Sequence, residues 1–231
     1  MANSSYLCAT DVASLYPSSQ VPGFDPRGGV VAHDVSGVPL LWLALFRPAD
    51  LVTGVFAIDE DDLDEDEDED GEVEATAPLV AKDRALAQLD AALPALNALF
   101  AAEGPLDAHA ALLRRAVEKA PGAFVTIELE EIEGVWEEEG AFQPTLRAAL
   151  AGLDGGLDGG LDGVRDGGTD PAADRARLIE LSRLRPGRPF PPARLLLDGL
   201  EAEDDDYWNL VRLLGTSFDA EVPWETPAAN G

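Results

Sequence analysis

Apolar residues recur along this chain in two rhythms. From residue 123 to 132 they alternate, with Val125, Ile127 and Leu129 on one side and Thr126, Glu128 and Glu130 on the other. A period of two belongs to a half-buried β-strand, here with an acidic outer face. Between residues 78 and 102 the spacing lengthens. Leu79, Leu86, Leu89, Leu93, Leu96 and Leu99, with Phe100, recur at intervals of three, four and seven. That spacing predicts one apolar face of a long helix. Pro94 lies inside the pattern and is expected to kink or split the helix, because it lacks the amide hydrogen and crowds the preceding turn.

Shorter segments complete the pattern. Residues 6–10 and 51–58 (LVTGVFAI) are rich in β-compatible side chains and predict strands. Residues 39–46, PLLWLALF, are apolar on nearly every side, with Pro39 suited to a first turn and Pro48 to a stop. They predict a short buried helix holding Trp42. Helices are also predicted over 106–120, ended by Pro121-Gly122, and over 144–153 and 171–184. Residues 207–214, YWNLVRLL, predict a last helix, capped by Asp204 or Asp205 and ended by Gly215, with Trp208 in the core. Residues 16–29, with three prolines and three glycines, and the stretch RPGRPFPPAR read as loops.

Two segments match neither rhythm. Thirteen of the sixteen residues from 59 to 74 are acidic. Their mutual repulsion, relieved only by Leu63 and Val73, leaves too little apolar surface to offset the entropy of ordering. Residues 152–170 repeat Gly-Leu-Asp-Gly three times, and a four-residue unit of that composition forms no packed layer. The expected architecture is a single α+β domain over residues 1–231, a small antiparallel or mixed sheet covered by helices. Residues 59–77 and 152–170 are expected as flexible insertions.

Charge narrows the partners. The 231 residues carry 45 acids against 16 bases, a net charge of −29. Without the tract's thirteen acids, 32 remain against 16 bases, a net of −16. Seven glutamates fall within 128–139 and six acids within 198–206. Phosphate backbones and anionic membrane surfaces both demand a basic face, so neither nucleic acid nor membrane is an expected partner. The apolar run at 38–46 also falls short of the roughly 20 residues that cross a bilayer. A basic protein partner is expected instead. Two lysines against fourteen arginines, with abundant Ala, Gly and Pro, resemble the coding bias of a high-GC bacterial genome. The single cysteine, Cys8, allows no intrachain disulfide and suits a reducing cytoplasm.

Candidate chemistry is sparse. Asp66, Asp68 and Asp70 with Gly71 match the opening of an EF-hand calcium loop, but position twelve, which needs a bidentate Glu, is Ala77. The tract is left with three readings: a solubilising insertion, a lure for a basic partner, or a weak binder of divalent cations. His33 and His109 have no metal-ligand spacing between them. No phosphate-cradling glycine motif or nucleophile elbow occurs, and no cofactor is expected. His33-Asp34 with Ser4 or Ser5 offers a weak hydrolytic trio. The simpler expectation is an exposed loop histidine, because a triad is defined by geometry. His109 is expected to pack or to lie on the surface, and Cys8 to be a small buried hydrophobe. The segment GVWEEEG sets glutamates beside Trp136, either as a solvated acidic loop or as a carboxylate pair on an aromatic platform. Trp224, between Pro223 and Glu225, is a candidate aromatic anchor that either stays exposed or folds back on the core.

The opening Met1-Ala2-Asn3-Ser4-Ser5-Tyr6-Leu7 resembles an uncharacterised bacterial family whose members begin M-A-N-[RS]-S-Y-L-Y and continue into an apolar helix like residues 39–46. The closing Leu214-Gly215-Thr216-Ser217-Phe218 and Val222-Pro223-Trp224-Glu225 look similar to the same family. The resemblance implies one domain interrupted by the two insertions. It carries no activity and no catalytic residues, and Cys8 stands where the family often has Tyr. The functional expectation is a non-enzymatic binding module for a basic partner, of the immunity-protein or antitoxin kind, located in the cytoplasm. Its contacts are expected at Glu128, Glu130, Trp136, Asp204, Asp205 and Trp224. The alternative is an enzyme with a carboxylate-based site within 128–139.

Overall fold

Alternating strands build one sheet. The computed structural model describes residues 3–11, 13, 15, 29–57, 72–138, 140–154, 170–193 and 205–216. Within them, β1 (Ser4–Thr10) pairs antiparallel with β2 (Val30–Val35) on one side and with β5 (Phe124–Glu128) on the other. β4 (Glu72–Ala81) follows β5, and β3 (Leu51–Ala57) forms the far edge. The register sets Leu7 between Ala32 and Ile127, and Val125 between Ala9 and Val80, so one face is continuously apolar. Leu7, Ala32, Val125 and Ile127 are fully buried. Each such aliphatic side chain removed from water contributes on the order of 1–3 kcal/mol.

Seven α-helices among the described residues complete the α+β architecture. They are α1 (Leu40–Leu43), α2 (Lys82–Leu99), α3 (Asp107–Lys119), α4 (Glu130–Glu133), α5 (Phe142–Asp154), α6 (Pro171–Ser182) and α7 (Asp205–Leu214). α1 is buried on every side, as a helix apolar all round must be. Trp42 Nε1 donates to the Leu214 carbonyl at 2.8 Å and ties α1 to α7. Beyond Leu43 the bonds shorten to three-residue steps, Leu45 to Trp42 and Phe46 to Leu43, so the predicted helix over 39–46 closes early as a tight turn ahead of Pro48. After α7, Thr216 exchanges two backbone hydrogen bonds with His33 and extends the sheet beside β2.

Several boundaries differ from expectation. The strand predicted over 123–132 ends at Glu128, and Glu130–Glu133 form α4 instead. β4 occupies residues 72–81, so the predicted helix starts at Lys82 rather than 78, and residues 72–77 belong to the sheet rather than to an insertion. Ala57 stands opposite Glu72, so strand pairing reaches both ends of the acidic connection. Residues 58–71 and 155–169 lie outside the described residues. α2 runs unbroken through Pro94. Pro94 and Asp90, four residues back, are both exposed, so the turn that lacks one amide donor lies on the solvent side of α2. Finally, His33 and Asp34 lie in β2 rather than in a loop. As strand neighbours they point to opposite faces. Ser5 sits opposite Asp34, but its hydroxyl donates to the Gly37 carbonyl at 2.6 Å, and His33 sits opposite Tyr6. The hydrolytic trio is therefore not assembled.

Buried charge is matched by design of the turns. Arg47 is buried and donates to the carbonyls of Phe46, Ala44 and Gln88, while pairing with Asp154 at 3.2 Å. Asp50 accepts from the Arg47 amide and the Gln88 side chain and pairs with Arg84 at 3.0 Å. Asp34, wholly buried, pairs with Arg212 at 2.6 Å. No helix among the described residues is long and apolar enough to cross a membrane.

Candidate protein-binding face

The glutamate-rich segment sits where β5 turns into α4. Buried Ile132 anchors this one-turn helix, which leaves Glu130 and Glu131 exposed and Glu133 half-buried. Carboxylates in a first turn also suit its positive end. Glu131 Oε2 accepts from the Ser4 amide at 2.7 Å, and Glu133 Oε2 accepts from Gln143 Nε2 at 2.8 Å. These bonds fix α4 against β1 and α5.

Beyond α4 the chain turns outward. Val135 is 50% exposed, one of two large aliphatic side chains so exposed among the described residues. Trp136 is half-buried, edge-on to Phe142 with centroids 5.1 Å apart, and the Arg183 guanidinium lies 5.0 Å from its ring centre. Glu137 and Glu138 are exposed. A recess of about 170 Å³ beside them is lined by Trp136, Glu137, Glu138, Thr145, Glu180 and Arg183.

Glu128 ends β5 on the outer face of the sheet, in a row with Tyr6 and His33. The Tyr6 and His33 rings stack at 6.5 Å. Burial pushes the Tyr6 hydroxyl up, with Glu131 and Glu128 adding to the rise, and burial pushes the His33 imidazole down. Cys8 is buried in the same sheet, and that burial pushes its thiol up to about 12, so it is protonated and inert at neutral pH.

Of the predicted contact residues, Glu130 and Trp136 share the α4 turn, and Glu128 stands at the strand end that leads into it. Asp205 stands elsewhere, on α7, where both of its oxygens are taken by Arg185 and Arg188. Asp204 and Trp224 lie outside the described residues. Trp208, predicted to be core, is half-buried, with Arg212 over its ring at 5.7 Å. It keeps one side toward solvent because α7 buries its opposite stripe, Leu210, Val211, Leu213 and Leu214. Exposed Val135 left no mark in the periodicity. Among the described residues, no group of three or more His, Cys, Asp or Glu side chains is placed to hold a metal ion. Comparison with known proteins finds no match to this chain among family models, curated proteins or solved structures.

Proposed function

We propose that this chain is a non-enzymatic binding module that takes a basic protein segment on the face formed by the end of β5, α4 and the turn after it. The observation that carries the reading is Val135, half-exposed and flanked in sequence by the exposed carboxylates of Glu130, Glu131, Glu137 and Glu138. An apolar centre with a charged rim is the anatomy of a protein interface, and Trp136 beside it offers a rigid aromatic anchor. The net charge of −29 steers a cationic partner toward the molecule as a whole. This is the chemistry of an acidic inhibitor, of the immunity-protein or antitoxin kind, facing a basic target. The proposal sets the module in the cytoplasm, which its single buried thiol supports. It also keeps the chain with the uncharacterised bacterial family that its M-A-N-S-S-Y-L opening resembles.

An enzymatic reading would use Glu137, Glu138 and Glu180 in the recess beside Trp136. All three are exposed, whereas a general acid near neutral pH needs a desolvated carboxyl. The binding reading is the better supported.

The test is calorimetry of the full chain against an arginine-rich peptide carrying one central leucine. Binding is expected to weaken as salt rises, and to fall at least ~tenfold in the double variant Glu137→Lys/Glu138→Lys. Val135→Ser is expected to weaken it several-fold at any salt concentration. Unchanged affinity in both variants would overturn the reading.

A further inference from the structure

The two edges of the sheet end differently. At β2, Thr216 exchanges backbone hydrogen bonds with His33 and covers part of that edge. At the other side, β3 is the outermost strand among the described residues. It pairs with β4 in continuous register, from Leu51 opposite Pro78 to Ala57 opposite Glu72. Among the described residues, β4 meets β5 only at Leu79, Val80 and Ala81. Residues 51–57 and 72–78 therefore form a two-stranded ribbon that runs on past β5. A ribbon of two strands is marginal in water, and a third strand stabilises it.

The bonding along β4 decides which backbone groups of β3 face outward. In an antiparallel ladder, successive residues direct their N–H and C=O alternately to the two neighbours. The Lys82 amide donates to the Ala123 carbonyl at 2.9 Å, on the β5 side. The Thr76 carbonyl accepts from Gln143 Nε2 at 2.9 Å, also away from β3, and Pro78 has no N–H to give. Even-numbered residues of β4 thus point away from β3. The odd-numbered Val73, Ala75 and Ala77 bond to their partners Phe56, Gly54 and Val52. The N–H and C=O of Thr53, Val55 and Ala57 are left on the outer edge, whereas the Leu51 amide is taken by the Pro48 carbonyl. Thr53 is exposed and Val52 is 37% exposed, so both faces of the strand meet water here. Edge strands are ordinarily blunted by charge, proline or a bulge, and β3, LVTGVFA, carries none of them.

We propose that the outer edge of β3 takes an extended segment of a basic protein as an added strand. The outward N–H and C=O groups of Thr53, Val55 and Ala57 supply the ladder, as in other strand-addition complexes. Charge names the occupant. Glu74 is exposed opposite Val55, and eleven acids follow Ala57 in the sequence before Glu72. A segment rich in lysine or arginine meets that charge with the opposite sign, and a second copy of this acidic chain does not. The edge is distinct from the α4 face, and neither proposal rests on the other.

Titration calorimetry of the full chain with a short peptide of alternating lysine and valine tests it. The peptide is expected to bind in the sub-millimolar range, more weakly as salt rises, and to slow exchange of the Thr53 and Val55 amides with solvent. The same peptide with every amide N-methylated keeps its charge but can donate to no strand, and is expected to bind at least ~tenfold more weakly. Thr53→Pro removes an outward donor, which an edge strand tolerates, and is expected to weaken binding as much. Thr53→Val loses only the hydroxyl contact with Thr76 and is expected to bind as the parent does. Should Thr53→Pro lower the urea midpoint, the methylated peptide decides. The proposal is overturned if the methylated peptide binds as tightly as the unmethylated one, or if a folded Thr53→Pro keeps the parent affinity. It is also overturned if Glu137→Lys/Glu138→Lys abolishes binding, which would put the peptide on the α4 face, or if sedimentation shows copies paired without peptide.

Discussion

Single residues here carry constraints that composition hides. Gly215 ends α7 at φ 80°, and a Cβ on it would be driven into the Trp42 ring and stand 2.9 Å from the His33 carbonyl oxygen. Gly215→Ala is therefore expected to cost several kcal/mol, read as a lower urea midpoint, because backbone strain and a core clash add. Gly215→Asn should be as damaging, since αL tolerance does not relieve the clash. His109 carries a pH dependence. Its Nε2 meets the Pro191 carbonyl at 2.8 Å, which requires Nε2–H as donor, while Nδ1 is buried without a partner. Burial lowers its pKa, and that of His33, below the usual value near 6.5. The unfolded chain then binds protons that the folded chain refuses, so this stability is present above about pH 6.5 and is lost as pH falls through the folded value. Urea unfolding is expected to show lower stability at about pH 5.5 than at about pH 7.5, with a shallower difference in His109→Gln, whose amide keeps the donor but does not titrate.

At the scale of elements, legibility followed whether local pattern and tertiary pairing agreed. β5 was readable because Val125 and Ile127 alternate with polar neighbours and the sheet buries that same set. α3 and α5 were readable because their apolar stripes meet the core. The start of α2 was not. Leu79 lies seven residues before Leu86 and fits a helical period, yet it pairs with Thr126 across β4 and β5. Period alone cannot separate the two when a strand runs straight into a helix. β2 was missed because His33-Asp34 reads as a polar break, whereas Asp34 is buried by a partner, Arg212, 178 positions away. The recess of about 230 Å³ between the end of α6 and α7, lined by Arg183, Arg185, Trp208, Asn209 and Arg212, had a trace in the sequence. Residues 183–188, RLRPGR, set three arginines in six positions of an acidic chain. Arg183 and Arg185 converge with Trp208, Asn209 and Arg212 only because the fold brings the end of α6 beside α7, which no local pattern encodes.

At the scale of the molecule, negative charge is segregated rather than spread. Eleven acids fall in the fourteen residues between Ala57 and Glu72, and those two residues are already paired across β3 and β4. Replacing residues 58–71 with Asn-Gly, the turn that suits a two-residue hairpin, should therefore leave the fold intact. Loop closure alone should make the shortened chain about 1–2 kcal/mol more stable, and relief of like-charge repulsion adds to that. A lower urea midpoint would count against this view of the connection. The same geometry has a consequence for how copies of the chain meet. Among the described residues β3 is the outermost strand on its side of the sheet, with Val52 exposed on it, and an outermost strand invites pairing with a second molecule. Two copies meeting edge to edge along β3 would bring two blocks of eleven negative charges toward one another. Repulsion between those blocks is expected to oppose edge-to-edge association at low salt and to fade as added salt shortens its range, which light scattering along a salt series would read.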